Sequence, residues 1–187
     1  NKSINLCLNN EVKDQNMRFM LSGNGPMLNR GCAAIFHGTR RILAREFPGC
    51  NIVVASLGAE SGVQDSAGLR NVEVSLARNR WSVPWLKHRG RMALGLGEDY
   101  SDAARQIAPH LDGCAGVLSV GGDNYSIDYG YSIVERLIAI VQTAQRRGIP
   151  TVIWGASIGP FATDPAFKKR IVEHLRKISL IVVREPA

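Results

Sequence analysis

Three short polar clusters, each following an apolar run, hold the residues of this 187-residue chain best suited to chemistry. The first is Gly121-Gly122-Asp123-Asn124, directly after AGVLSV; the second is Ser157-Ile158-Gly159-Pro160, just after TVIW; the third is Arg184, directly after LIVV. Paired glycines let backbone approach a ligand closely. The Asp123 carboxylate suits a hydrogen-bond acceptor or a general base. Ser157 and the N–H groups around Ile158 and Gly159 suit an anion or a hydroxyl. Arg184 carries a planar fork matched to carboxylate or phosphate. At the end of a buried strand its charge would be costly without a partner, and Glu185 is a structural candidate for that role. Each cluster also has a plain reading: Asp123 as a turn residue or cap, Ser157–Pro160 as a turn, Arg184 as half of a local ion pair.

A further loop, GNGPMLNRG at 23–31, opens a helix, with Asn29 placed to cap it. Its glycines depart from the GxGxxG dinucleotide pattern, since the third, Gly31, comes six residues after Gly25 rather than three. No GK[ST] ending of a phosphate loop follows either. A helix N-terminus still favours an anion through its unsatisfied N–H groups, so ligand contact and a simple turn both remain open.

The elements that must position these residues follow a βα alternation. Apolar runs predict strands at Met17–Leu21, Asn51–Leu57, Ala115–Val120, Thr151–Trp154 and Leu180–Val183, with a short alternating strand at Val72–Leu76. Helical spacing predicts a first helix burying Ile35, Thr39, Ile42, Leu43 and Phe47, and a second over Ser101–Leu111. A third buries Ile133, Leu137, Ile140, Val141 and Ala144; a fourth, capped by Asp164, buries Phe167, Ile171, Leu175 and Ile178. Strands alternating with helices call for a Rossmann-like parallel α/β sheet with helices on both faces. In such sheets ligands bind beyond the carboxyl ends of the strands, where all three polar clusters lie.

Composition bounds the rest. A hydrophobic fraction of 45% with 6% aromatics fits an aliphatic core, and no run approaches the ~18 apolar residues of a membrane span. Residues 1–15 read as a tail or edge segment and 16–187 as one domain. Neither an initiator Met nor a leader pattern opens the chain, and it closes just past a strand, so a fragment is expected. Net charge +7 and pI ≈ 9.6 favour anionic partners: a phosphorylated small molecule, an acidic glycan, a membrane surface or nucleic acid. The densest basic patch, Arg78, Arg80, Lys87, Arg89 and Arg91, surrounds Trp81 and Trp85. These aromatics suit stacking on sugars or bases; the plainer reading is a loop whose tryptophans pack on a neighbouring domain. Cys7, Cys32, Cys50 and Cys114 form no CxxC pair and no metal-ligand spacing, which fits a reduced, cytoplasmic setting and no metal site.

Taken in order, Asn29-x-Gly31, VGGDNYSIDYG at 120–130, WGASIGPF at 154–161 and IVVRE at 181–185 resemble the polysaccharide pyruvyl transferase family, from about Met17 onward and over its N-terminal half only. That resemblance implies one half of a GT-B-like two-domain architecture with the active site in the cleft between halves. It implies transfer of a pyruvyl group from phosphoenolpyruvate, a donor substrate, to a sugar hydroxyl pair of an exopolysaccharide or cell-wall glycan, with no cofactor. It further implies that Arg184 holds the donor and that Gly121, Gly122, Asp123, Asn124, Ser157, Ile158 and Gly159 line the cleft, with Asp123 as the catalytic candidate. Asn29 and Gly31 would bound the acceptor side. Cys32 departs from the acidic residue many members carry there. The family's general acid/base histidine belongs to a C-terminal half, so this piece is expected to be inactive alone. The partners implied are phosphoenolpyruvate, a glycan and the chain's own C-terminal domain, in the cytoplasm or at the inner face of the membrane. Two rivals stand beside this reading: a GT-B glycosyltransferase with a nucleotide-sugar donor, and a non-catalytic domain binding anions or nucleic acid, although no nucleic-acid motif is present.

Overall fold

The computed structural model describes residues 17–56, 63, 68–74, 81–94, 99–128 and 130–184. Six parallel strands form one sheet: β1 (Arg18–Ser22), β2 (Asn51–Ser56), β3 (Leu69–Glu73), β4 (Cys114–Val120), β5 (Thr151–Ala156) and β6 (Leu180–Val183), in the order β3-β2-β1-β4-β5-β6. The helices are α1 (Arg30–Glu46), α2 (Val83–Ala93), α3 (Ser101–Ile107, followed by a 3-10 turn at Ala108–His110), α4 (Tyr131–Gln145) and α5 (Pro165–Leu175). The chain builds outward from β1 in one direction, then returns to build outward from β4 in the other. Order therefore reverses between β1 and β4, which pair from Phe19↔Gly116 to Ser22↔Ser119.

Period-two burial divides the core between the two faces of the sheet. Phe19, Leu21, Ile52, Val54, Leu118 and Val120 pack against Phe36 and Leu43 of α1. Met20, Val53, Ala55 and Val117 pack against Ala103 and Ile107 of α3 and Ile140 and Ala144 of α4. A third cluster joins Ile153 and Ala156 to Val134 and Ile138 of α4 and Phe167 and Ile171 of α5. Helices on both faces of a parallel sheet are thus observed as expected.

Several sequence expectations shift. Helix α1 buries Phe36, Thr39 and Leu43, whereas Ile42 and Phe47 are 39% and 37% exposed. The Phe36 ring, larger than Ile35, takes the core position and turns the stripe by one residue. Phe47 lies past the last helical turn and rests its ring on Phe19 at 4.9 Å. The third strand begins earlier than the alternation suggested, at Leu69, because Ile52 N donates to Gly68 O (2.7 Å) and sets its register on β2. Leu57 and Leu76 lie outside the described residues. The basic Trp81–Arg91 segment, expected as a loop, is helical from Val83: Ser82 Oγ accepts from Trp85 N at 3.3 Å and Pro84 occupies the first turn. His174, unassigned in the sequence, is buried on α5.

The register of α1 gives a direct check. Phe36→Ala is expected to cost about 3–5 kcal/mol and Ile42→Ala under about 1 kcal/mol, measured by urea denaturation; equal losses would mean the wrong face is buried.

Candidate functional site

The reversal of strand order leaves a crevice between the carboxyl ends of β1 and β4, and close backbone approach shapes it. β1 ends at Ser22 and passes into Gly23 at φ +85°; β4 ends at Val120 and passes into Gly121 at φ +151°. A side chain at either glycine would collide with the Asn124 amide. That amide lies between the two strand ends and donates from Nδ2 to Val120 O at 2.7 Å. Asn124 therefore seals the floor of the crevice.

The loop after β4 is pinned to the loop after β5. Ser157 N donates to Gly122 O (2.6 Å), Gly159 N donates to Tyr125 O (2.9 Å), and Tyr125 and Ile158 form an isolated parallel bridge. Arg184 N donates to Ala156 O at 3.3 Å, so the end of β6 is joined to the same ridge. Above it, Arg184 Nη2 meets Asp123 Oδ1 at 3.3 Å, with the two side chains 46% and 40% exposed. Gly122 makes room for this: a Cβ there would stand 2.8 Å from Arg184 Nη1.

Arg184 was expected at the end of a buried strand with Glu185 nearby. β6 is instead the exposed edge of the sheet, with Leu180 and Val183 52% and 47% exposed. The pair to Asp123, 61 residues away in sequence, joins two of the three polar clusters; Glu185 lies outside the described residues. An exposed pair of this kind stabilises a fold by under about 1 kcal/mol, so its main effect is to orient the guanidinium over Gly122.

Beneath the ridge Tyr125 is fully buried. Its hydroxyl lies 3.5 Å from His174 Nε2, and the two rings stack at 6.0 Å with an interplanar angle of 11°. Burial pushes the Tyr125 phenol up to about 12 and the His174 imidazole down to about 4. Both groups stay neutral near pH 7, so they anchor the Asp123 loop to α5. Sequence reading missed this anchor because a histidine on a helix carries no mark of the strand-end loop it packs under.

Thus Gly121, Gly122, Asp123, Asn124, Ser157, Ile158, Gly159 and Arg184 belong to one edge. Asn29 and Gly31 stand beyond the end of β1, at the start of α1. Asn29 Oδ1 accepts from Gly31 N (2.9 Å) and Cys32 N (3.3 Å), so two of the first-turn donors are already engaged by the cap. Cys32 packs its sulfur under Gly25. Residues that the sequence did not single out also face this region. Ser22 and Asn24 are buried, and Ser22 Oγ and Asn24 Oδ1 have no hydrogen-bond partner among the described residues; nor has Ser157 Oγ. Such atoms carry a desolvation cost unless something completes them. The signal for Ser22 and Asn24 was positional only, since Ser22 ends β1 and Asn24 follows it, at the strand where the order reverses. Among the described residues no group of three or more His, Cys, Asp or Glu gathers to hold a metal ion, and no helix is long and apolar enough to cross a membrane.

An open, all-parallel sheet covered by helices, with a glycine-lined crevice where the strand order reverses, defines an α/β domain of Rossmann-like type. The sequence profile of the polysaccharide pyruvyl transferase family matches residues 29–187, and the chain belongs to that family. Among individually curated proteins no significant match was found.

The buried imidazole sets a pH dependence. Its folded value near 4 lies below the usual 6.5, so the unfolded chain binds the extra proton first as pH falls. Stability from this group is full above about pH 6.5 and declines toward pH 4, by about 2 kcal/mol between pH 7 and 5. Urea midpoints of wild type and His174→Phe should converge or cross over that interval, with the variant's curve the flatter; parallel curves would contradict a neutral buried histidine.

Proposed function

We propose that this chain supplies the donor-binding wall of a pyruvyl transferase that moves the three-carbon unit of phosphoenolpyruvate onto a hydroxyl pair of an exopolysaccharide or cell-wall glycan. The observation that carries the reading is the Arg184 guanidinium, oriented by Asp123 over Gly122 at the carboxyl edge of a family member.

The reaction needs a proton added to the donor methylene, attack by a sugar hydroxyl on C2, loss of phosphate, and ring closure by the second hydroxyl. The methylene becomes a methyl group, two acceptor protons are given up, and inorganic phosphate leaves. Charge on the donor is concentrated in its carboxylate and phosphate, and a fixed guanidinium neutralises and aligns one of them without reorganising during the step. In this reading Asp123 positions Arg184 and is the carboxylate of this wall available to take a proton from the acceptor. Asn124 and the Gly121–Gly122 backbone shape the floor, the Ser157–Gly159 turn forms the side, and Asn29 and Gly31 bound the acceptor. Phosphoenolpyruvate enters as a substrate and no resident cofactor is required. The acid/base histidine belongs to a second, C-terminal domain facing this edge in a GT-B-like arrangement, with the whole enzyme in the cytoplasm. His174 does not fill that role, being stacked beneath Tyr125 and 2% exposed.

Phosphate release from phosphoenolpyruvate in the presence of acceptor glycan tests the proposal in the whole protein. Arg184→Ala is expected to lower kcat/KM at least ~100-fold, a change of ~2.7 kcal/mol, with an unchanged melting temperature. Arg184→Lys should recover part of the loss, since it restores charge without the fork. The 187-residue chain alone should bind donor without turnover. A full rate in Arg184→Ala, or nucleotide release from a nucleotide sugar in place of phosphate release, would overturn the reading.

A further inference from the structure

Helix α2 presents its apolar side outward. At about 3.6 residues per turn, Val83, Leu86, Gly90, Ala93 and the following Leu94 fall on one stripe, and Lys87 and Arg89 border it on either side. In a helix that packs on its own domain such a stripe faces the core. Here all five positions are exposed, with Val83 at 65%, Leu86 at 51% and Leu94 at 74%. The half-buried positions are Trp85, His88 and Arg91, on the opposite side, where Met92 is also exposed. Val83, Pro84, Lys87, His88 and Arg91 line a cleft shared with Asp99, Asp102 and Arg105, whereas Leu86, Gly90, Ala93 and Leu94 take no part in that lining. Just ahead of the helix Trp81 is 70% exposed, its ring 5.1 Å from that of Trp85, and the Arg89 guanidinium sits over Trp85 at 5.8 Å.

We infer that α2 and Trp81 form a docking surface for an anionic lipid bilayer, lying in the plane of the headgroups with Leu86 and Leu94 inserted. Charge complementarity selects this occupant: the stripe is bordered by cations, and the sequence adds Arg78 and Arg80 just before it in a chain of net charge +7. Neither bordering residue is acidic. An apolar strip edged by Lys and Arg, with an aromatic at one end and low overall hydrophobicity, is the pattern of an interfacial helix, and anionic headgroups attract each basic residue near their surface. The inference does not depend on the pyruvyl-transfer reading and can fail without it.

Flotation of the purified protein with vesicles of mixed phosphatidylcholine and phosphatidylglycerol, against vesicles of phosphatidylcholine alone, is the test. Binding to the anionic vesicles only is expected. Leu86→Asp combined with Leu94→Asp should weaken it at least ~10-fold, and Lys87→Gln combined with Arg89→Gln by a similar factor. All four positions are exposed, so circular dichroism and melting temperature should match wild type. No flotation with anionic vesicles at low salt would overturn the inference. So would flotation that survives the leucine substitutions, the mark of simple adsorption of a basic protein. A dimer in sedimentation equilibrium that Leu86→Asp dissociates, with no vesicle binding, would assign the face to a second copy instead.

Discussion

Everything at the candidate site depends on how closely the backbone passes at the junction of β1 and β4. Two strands that pair side by side but lead their chains in opposite directions leave a gap at their carboxyl ends. Gly23 and Gly121 let the Asn124 side chain close the bottom of that gap, and both adopt positive φ, where an L side chain is strained in addition to the collision. With Asn124 held on Val120 O, the chain turns upward at Gly122 and Asp123 and exposes the carboxylate beside Arg184.

Around this junction the work is divided between rigid and exposed parts. The Tyr125–His174 stack and the hydrogen bonds from Ser157 and Gly159 hold the β4 loop to α5 and to the β5 loop. The Asp123–Arg184 pair stands on that base in partial contact with solvent. Such an arrangement keeps a guanidinium oriented while leaving it reachable, which a buried pair would not do. The oxygens of Ser22, Asn24 and Ser157, without a partner among the described residues, place further acceptors and donors along the same edge.

Much of this was legible in the residues because parallel strands buried on both faces read as continuous apolar runs. AGVLSV, TVIW and LIVV announced β4, β5 and β6, and the polar residues after each marked the carboxyl edge. Legibility failed where a periodic pattern fitted two faces or none. Ile35 and Phe36 are neighbours, and only packing against Phe19 and Leu118 picked the aromatic for the core. The apolar positions of α2 were obscured by the interleaved Lys87, Arg89, Gly90 and Arg91, so the segment passed for a loop. Hydrophobicity also could not say that β6 is an exposed edge, since LIVV would suit a central strand equally well.

By itself the sequence determined the βα alternation, the caps at Asn29 and Asp164, and which residues follow each strand, because those features depend on neighbours a few positions apart. The family, too, was readable from the ordered set of strand-end motifs. Tertiary structure alone decided that Asp123 pairs with Arg184, that Asn124 fills the space two glycines vacate, and that His174 lies under the loop at Tyr125. Apart from Gly121, which is three residues from Asn124, those contacts join residues tens of positions apart or more, and they exist only once strand order and register have fixed which chain ends meet.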